Sequence, residues 1–496
     1  MGGIPSEQRE VAALLGRLTG AAPIETHISA VFVGPQDAFK LKKAVTLPFL
    51  DFAPLAARER FVRRELELNR PNAPGIYREV LPVTRGADGG LELGGPRGPG
   101  REAVEWVLRM APVPADHFLD AIAARGGLEP VLLDALADAV AALLAAAPVA
   151  AGVDAPARMA RVLEGNIEGC LAAGLDGSQV AAVAEAMRAR LAKLAPLMAA
   201  RAAAGFVRRC HGDLHLGNLC LWEGRPVAFD ALEFDEALAR IDTGYELAFL
   251  LMDLEVRLSR PAANRVMNRV LARSFDIGML AALPFWMAQR ALVRAKLEPA
   301  RGQDGMPYLA AAARFLRAVP PRLVAIGGLQ GTGKTWLARD VAPLLGVAPG
   351  ALHLRSDEIR KRRAGVPPEQ RLPPEAYAEA ESLAVHAEMF AAARQALAGG
   401  HSVVLDAVFL DPAHRAAAEA AAGDAAFTGI WLEAPLDVLR SRVAGRTGDA
   451  SDATVAVLEH AARADPGPIT WHRLDVSGDA RAMLRKHLAL NGNSEA

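Results

Sequence analysis

The chain has 496 residues, 52% hydrophobic and 23% charged, which predicts two to four domains at ~100–200 residues each and excludes a disordered tail. Lys+Arg 56 against Asp+Glu 57 leaves a formal net charge of -1, an argument against a protein whose main task is coating nucleic acid. Three cysteines (Cys170, Cys210, Cys220), none in a CxxC pair, exclude a disulfide scaffold or zinc ribbon and fit a reduced compartment.

No segment reads as a membrane span. The most apolar stretch, 130–153, is interrupted by Asp134 and Asp138. The N-terminus has no basic start followed by an apolar run, so the expectation is a cytoplasmic protein with no membrane partner. Only 8 of the 56 basic residues are lysines, which cheapens an isolated Arg and makes each Lys informative.

In chain order, Ala30–Val33 and Ala38–Leu41 read as two short strands around the turn 34–37, and 54–70 as a charged amphipathic helix. Another apolar run covers 103–110, and 117–204 is largely helical. Short strands and turns return over 208–230, followed by helices to about residue 315. Val319-Pro320-Pro321 marks a break. From Leu323 onward strands and helices alternate as in a parallel α/β sheet. The expected domains are 1–320 and 321–496.

The first informative string is His211-Gly212-Asp213-Leu214-His215-Leu216-Gly217-Asn218, matching H-x-D-L-x-x-x-N. An Asp there accepts or orients the proton of an attacking hydroxyl, and an Asn five residues on holds Mg²⁺ on the phosphates. Asp230 follows the apolar run 227–229 as a second metal-binding carboxylate. The rival reading is that Asp213 and Asn218 merely shape a turn. Lys40, in an A-x-K strand setting, suits the α/β-phosphates, with Lys42 as fallback on the same face. Phe61, Glu65 and Leu68 fall at i, i+4, i+7, which places Glu65 in an apolar stripe where it needs a cation such as Lys40.

This half, about residues 25–300, resembles the aminoglycoside phosphotransferase-like kinases, whose loop reads H-G-D-x-x-x-x-N followed by a strand-terminal Asp. The resemblance implies Asp213 as the catalytic Asp and Asn218 and Asp230 as Mg²⁺ ligands. Asp242 to Ala248 resembles the family's D-P-x-x-D-L-A segment, with Glu246 where Asp is usual. Two features depart from the pattern. No D-F-G surrounds Asp230, and Glu25 to Ser29 stands where a glycine-rich phosphate loop is expected.

In the second half, Gly328-Leu329-Gln330-Gly331-Thr332-Gly333-Lys334-Thr335 satisfies G-x-x-x-x-G-K-[ST] between a buried-strand run and a helical pattern. Gly328, Gly331, Thr332 and Gly333 let backbone N–H groups wrap phosphates at a helix N-terminus. Lys334 bridges the β/γ-phosphates, and Thr335 ligates Mg²⁺. Asp406, ending the run 402–405, suits a second Mg²⁺ ligand; a turn-starting Asp is its rival. Asp357-Glu358-Ile359-Arg360 resembles the D-x-x-R of P-loop kinases of the polynucleotide kinase and zeta-toxin type. That implies an acceptor-activating Asp357 and an acceptor-side Arg360, against the rival of a helix-capping Asp. Arg442 and Arg446, at i, i+4 after Pro435, resemble the cationic lid of small-molecule P-loop kinases.

The predicted fold class is α/β and α+β in two domains: a protein-kinase-like phosphotransferase fold followed by a P-loop NTPase parallel α/β sheet. The whole arrangement resembles bifunctional bacterial phosphotransferase/AAA-family ATPase fusion proteins, although no sensor or arginine-finger architecture is visible. The implied activity is ATP-dependent phosphotransfer with ATP and Mg²⁺ onto a small hydroxylated acceptor, sugar-, aminoglycoside- or nucleotide-like. Two readings compete with it. One is a 5′-hydroxyl nucleic-acid kinase in the second half, served by the cationic run Arg355 and Arg360 to Arg363, though a solvated helix face is the favoured reading of that run. The other is a nucleotide-sensing or regulatory first half.

Overall fold

The computed structural model describes residues 3–47, 50–86, 88–95, 102–445 and 450–490. Two compact units share the chain: residues 1–155 with 199–250, and residues 156–198 with 251–496. The sequence break near 320 therefore falls inside the second unit, whose helices include Arg260–Ser274, Leu283–Leu297 and Met306–Phe315.

The first unit is built on an antiparallel sheet of β1 (Ile24–Glu25), β2 (Ser29–Val33), β3 (Ala38–Lys42), β4 (Tyr77–Arg85), β5 (Leu91–Leu93) and β6 (Ala103–Met110), in the order β1-β2-β3-β6-β4-β5. Alternation decides its faces. Phe39, Leu41 and Val107 pack with Val11, Leu14 and Leu15 of helix α1 (Arg9–Thr19), while Leu108 packs with Val62 of α2 (Leu55–Asn69). Lys40 and Lys42 therefore point to the α2 side. That helix buries Arg58, Val62, Glu65 and Asn69, so the stripe is centred one position away from the Phe61/Leu68 line expected from hydrophobicity. Arg58 is drawn in because its guanidinium pairs with the buried Glu105 at 3.0 Å. The catalytic-loop region ends in a hairpin of β7 (Leu219–Trp222) and β8 (Arg225–Ala228).

The second unit holds a five-stranded sheet of β9 (Arg322–Gly328), β10 (Leu352–Arg355), β11 (Val403–Asp406), β12 (Ala426–Glu433) and β13 (His472–Asp475). Its order is β10-β11-β9-β12-β13, and all pairings are parallel. Every residue of β10 and β11 is buried, as expected for strands covered on both faces. Its core joins Val324, Ile326, Val404 and Ile430 to Leu337 and Val341 of the helix that follows β9. The parallel order places Gly328, Arg355, Asp406 and Glu433 together at the carboxyl ends of their strands, where open α/β sheets bind ligands. No helix among the described residues is long and apolar enough to cross a membrane.

Candidate active sites

In the first unit, Lys40 Nζ lies 2.7 Å from Glu65 Oε1 and 2.6 Å from Asp230 Oδ1. The predicted lysine, helix carboxylate and strand-end carboxylate therefore meet at one point. Lys42 joins them from the same face, with Nζ 2.7 Å from Glu65 Oε2 and a second bond to Glu233. Sequence reasoning missed Glu233, because its only local signal is its place three residues after Asp230. Burial disfavours the charge on Lys40, but Asp230 and Glu65 outweigh it and hold the ammonium well above its ordinary pKa. Glu65, likewise buried, is brought down to about 2 by the two lysines. Burial pushes Glu233 upward despite Lys42, with the Glu65 charge adding to the rise. Lys40 reaches Asp230 while Lys42 reaches Glu233, which separates the two candidate lysines.

Asp230 sits at φ +61, two residues past β8. Its strained backbone is held by an N–H donated to the Tyr77 hydroxyl at 2.9 Å, and Ala231 N donates to Asn69 Oδ1 at 2.8 Å. His211 connects this bend to the catalytic string, since its Nε2 lies 2.8 Å from the Phe229 carbonyl and its own carbonyl accepts from Leu232 N. Asn218 Nδ2 donates to both the carboxylate and the carbonyl of Asp213 at 2.9 Å. Glu246 is fully buried and accepts from Gly212 N at 2.9 Å, and Arg201 grips Asp242 at 2.8 and 2.9 Å. The longer Glu at position 246 thus anchors the loop backbone directly. Between β1 and β2, Thr26 Oγ1 accepts from Ser29 N at 3.0 Å, a side-chain-closed turn in place of a glycine-rich loop.

In the second unit, Gly328 to Gly333 link β9 to helix α4 (Lys334–Val341), with Gly331 at φ +86 and Gly333 at φ +88. A Cβ on Gly331 would sit 2.9 Å from the Leu439 carbonyl, so side chains are excluded there on two counts. Lys334 Nζ donates to the Gly328 and Leu329 carbonyls at 2.9 Å. Thr332 donates to Leu329 O at 2.8 Å and stiffens the loop. Thr335 Oγ1 donates to Asp406 Oδ2 at 2.6 Å, bringing the two expected Mg²⁺ ligands into contact. The same oxygen lies 3.3 Å from His353 Nε2 and 3.5 Å from Arg355 Nε. Burial opposes ionisation of Asp406, yet His353, Arg355 and Lys334 hold its carboxyl below the usual range. Neither His353 nor Arg355 carries a motif signal; they are found only through the register that sets Arg355 beside Asp406.

Asp357 occupies the first turn of helix α5 (Ser356–Arg363). Burial raises its carboxyl, with the Asp406 charge adding to the rise, against Arg355, Ser451 and Lys334. Arg360, by contrast, donates to the Ala376 carbonyl at 2.7 Å and to Ser382 Oγ at 3.2 Å, with its guanidinium over the Tyr377 ring. It anchors the segment around residue 377. Arg442, in helix α6 (Leu436–Ala444), reaches Gly331 O at 3.5 Å and Val476 O at 3.3 Å, beside the phosphate loop. Arg446 lies outside the described residues. The cationic run is only in part a solvated face: Arg355, Arg360 and Lys361 are buried, Arg362 is half-buried and Arg363 is exposed. Arg355 pairs with Glu358 at 2.9 Å, Lys361 with Asp452 at 2.7 Å, Arg363 with Glu381 at 2.6 Å and Arg362 with Glu388. Four of the five cations thus have carboxylate partners within this unit.

The donor chemistry fits Mg²⁺, a hard cation that takes oxygen ligands and keeps several waters. Thr335 and Asp406 would hold it in the second unit, and the Asn218 amide oxygen with Asp230 in the first. Among the described residues no group of three or more His, Cys, Asp or Glu gathers as a metal site, so phosphate and water oxygens would complete either shell. Together, the glycine-rich loop, Lys334 and the strand-end residue Asp406 gather at the carboxyl ends of the parallel strands, the place where open α/β sheets bind ligands.

The family model described as an AAA domain matches residues 323–465. Among solved structures, the chain is similar to a gluconokinase from Sinorhizobium meliloti 1021, at 23% identity over 35% of this chain and 92% of that one, TM-score 0.24. It is also similar to choline kinase from Cryptosporidium parvum Iowa II, at 10% identity over 59% of this chain and 87% of that one, TM-score 0.38. Protein Rv2004c of Mycobacterium tuberculosis H37Rv, described as uncharacterized, is 31% identical over 481 residues, 92% of each chain. The chain belongs to the same protein family as this mycobacterial relative.

Proposed function

We propose that the chain is a bifunctional ATP-dependent phosphotransferase, with one site in each unit, moving the ATP γ-phosphate onto hydroxyl groups of small molecules. In sequence the two activities divide near residue 320, as 1–320 and 321–496. The observation that carries the reading is the Thr335–Asp406 contact of 2.6 Å at the mouth of a glycine-rich loop. In the second unit the loop amides and Lys334 bind and orient the phosphates, and Thr335 and Asp406 hold Mg²⁺, which neutralises charge on the transferring group. Asp357, its carboxyl raised by burial, takes the proton of the acceptor hydroxyl. Arg442 supplies positive charge beside the loop, with Arg446 four residues on. Arg360 shapes the acceptor side by fixing the segment around Tyr377.

In the first unit Lys40, oriented by Glu65, addresses the nucleotide. Asp213 faces the acceptor hydroxyl, and Asn218 and Asp230 serve the metal. One observation favours a second reading for this unit, a sensing or regulatory module: the Thr26 turn offers no glycine-rich cover for phosphates. The experiment is transfer of ³²P from γ-labelled ATP into a metabolite extract by the full chain and by its Lys334→Ala and Asp213→Ala variants. Label lost separately in two different products supports two sites. No labelled product with any of the three chains overturns the proposal.

A further inference from the structure

Strand β10 forms one edge of the parallel sheet. Leu352 N donates inward to Ser402 O at 2.9 Å, so the alternate groups Ala351 O and His353 N face away from β11. Such outward groups normally stay wet or recruit another strand. Here their partners come from helix α3 (Arg260–Ser274), which precedes the break at residue 320. Asn268 Oδ1 accepts from His353 N at 2.7 Å, and Asn268 Nδ2 donates to Ala351 O at 3.1 Å. One side-chain amide thus offers the acceptor and the donor that a neighbouring strand would supply. Asn264 Nδ2 donates to the same Ala351 carbonyl at 3.0 Å, and Asn264 Oδ1 accepts from Asn268 at 3.0 Å, which fixes both side chains.

The rest of the clasp is equally specific. Arg260 donates to the Gly346 and Val347 carbonyls at 2.7 and 3.0 Å. Arg269 and Arg273 both reach Glu369, at 3.1 and 3.2 Å. Gly350 lies at φ +119, and a Cβ there would come 2.7 Å from Asn264 Nδ2. Beyond the clasp, His353 and Arg355, two residues apart, both reach Asp406 Oδ2, the oxygen that also accepts from Thr335.

We propose that helix α3 is part of the second unit's nucleotide site, with Asn268 as a positioning residue. It fixes the backbone of β10, so that His353 and Arg355 hold the Asp406 carboxylate against Thr335. The inference rests on the phosphotransferase reading of that site. It means that the region before residue 320 supplies a working piece of the P-loop half.

The test is Asn268→Ala in the full chain, with two readouts. Amide hydrogen exchange of a peptide covering 352–357 should accelerate about tenfold. The Mg²⁺ concentration that half-saturates binding of a fluorescent N-methylanthraniloyl ATP should rise about three- to tenfold, the scale of one lost buried hydrogen bond. Binding of the same nucleotide without Mg²⁺ should be unchanged. Unaltered exchange overturns the clasp. Faster exchange with an unaltered Mg²⁺ requirement overturns the positioning role, leaving α3 as a cover alone. Should Asn268→Ala not accumulate as folded protein, Asn268→Ser, whose shorter side chain withdraws the amide from both His353 N and Ala351 O, is read by the same two measurements. A wild-type chain without Mg²⁺-dependent nucleotide binding overturns the phosphotransferase reading instead.

Discussion

The Thr335 hydroxyl donates to Asp406 at 2.6 Å across the carboxyl ends of neighbouring strands, although 71 residues separate the two in sequence. The glycine-rich loop is therefore already paired with its carboxylate, while Lys334 donates to the loop carbonyls, and in the proposed reading that lysine turns to the nucleotide phosphates. Lys334→Ala in the full chain is expected to lower transfer by the second site about 10²–10³-fold, the scale of losing one aimed charge. Circular dichroism should stay unchanged. Wild-type turnover in this variant would refute the assignment of the loop.

Asp357→Asn is expected to leave ATP binding nearly intact and to lower transfer to the acceptor about 10²–10⁴-fold. The direction of its pKa gives two further readouts. A carboxyl raised in the folded state must lose its proton to act as a base, so the wild-type rate should fall as pH drops through that raised value. The same rise makes the ionised form a cost to folding above that pH, so Asp357→Asn should raise the melting temperature at neutral pH. Equal losses of ATP affinity and transfer would point to helix capping instead.

Lys40 and Lys42 should separate by phenotype. Lys42→Met leaves Glu233 buried without the cation it now bonds, which is expected to cost about 3–5 kcal/mol in urea denaturation. Lys40→Met should cost less stability but remove nucleotide affinity from the first unit. Glu65, at about 2 against an ordinary 4.5, contributes stability that is complete above pH 4.5 and is lost as pH falls towards 2. Glu233 acts in the opposite sense, because burial raises it. The acid-unfolding midpoint of Glu65→Gln, compared with wild type, isolates the first effect, and a lower midpoint for the variant would contradict it.

Asp213→Ala, placed on a Lys334→Ala background so that one nucleotide site remains, should still bind Mg²⁺–ATP by calorimetry but transfer nothing to an acceptor. In the proposed reading Asp213 addresses the hydroxyl, while Lys40, Asn218 and Asp230 address the nucleotide. No ATP heat from Lys334→Ala alone would make the first unit a regulatory or docking module that does not bind nucleotide.

Both loop motifs were legible because their geometry is local. Glycines at left-handed positions fix the phosphate loop, and Asn218 closes on Asp213 within five residues. The Lys40–Glu65 pair was legible from a strand alternation met by a helical stripe. Its exact centring was not, since Arg58 is buried through Glu105, 47 residues away, and a hydrophobicity pattern counts Arg as exposed. His353, Glu233 and Asn268 were invisible for the same reason, because their partners are chosen by sheet register and helix docking. In the run from Arg355 to Arg363 the solvated reading fits Arg363, while Lys361 is buried through its pairing with Asp452, 91 residues away.

The second unit is discontinuous: residues 156–198 belong to it, the chain then completes the first unit with 199–250, and returns at 251. During synthesis, helical residues 156–198 emerge well before the strands and helices that will cover them, and wait while another unit is finished. No single cut divides such a chain into two self-sufficient pieces. A break at any one peptide bond leaves at least one unit short of a segment. Duplication, loss or exchange of either unit by a single fission or fusion is disfavoured, and the two units are expected to be inherited together.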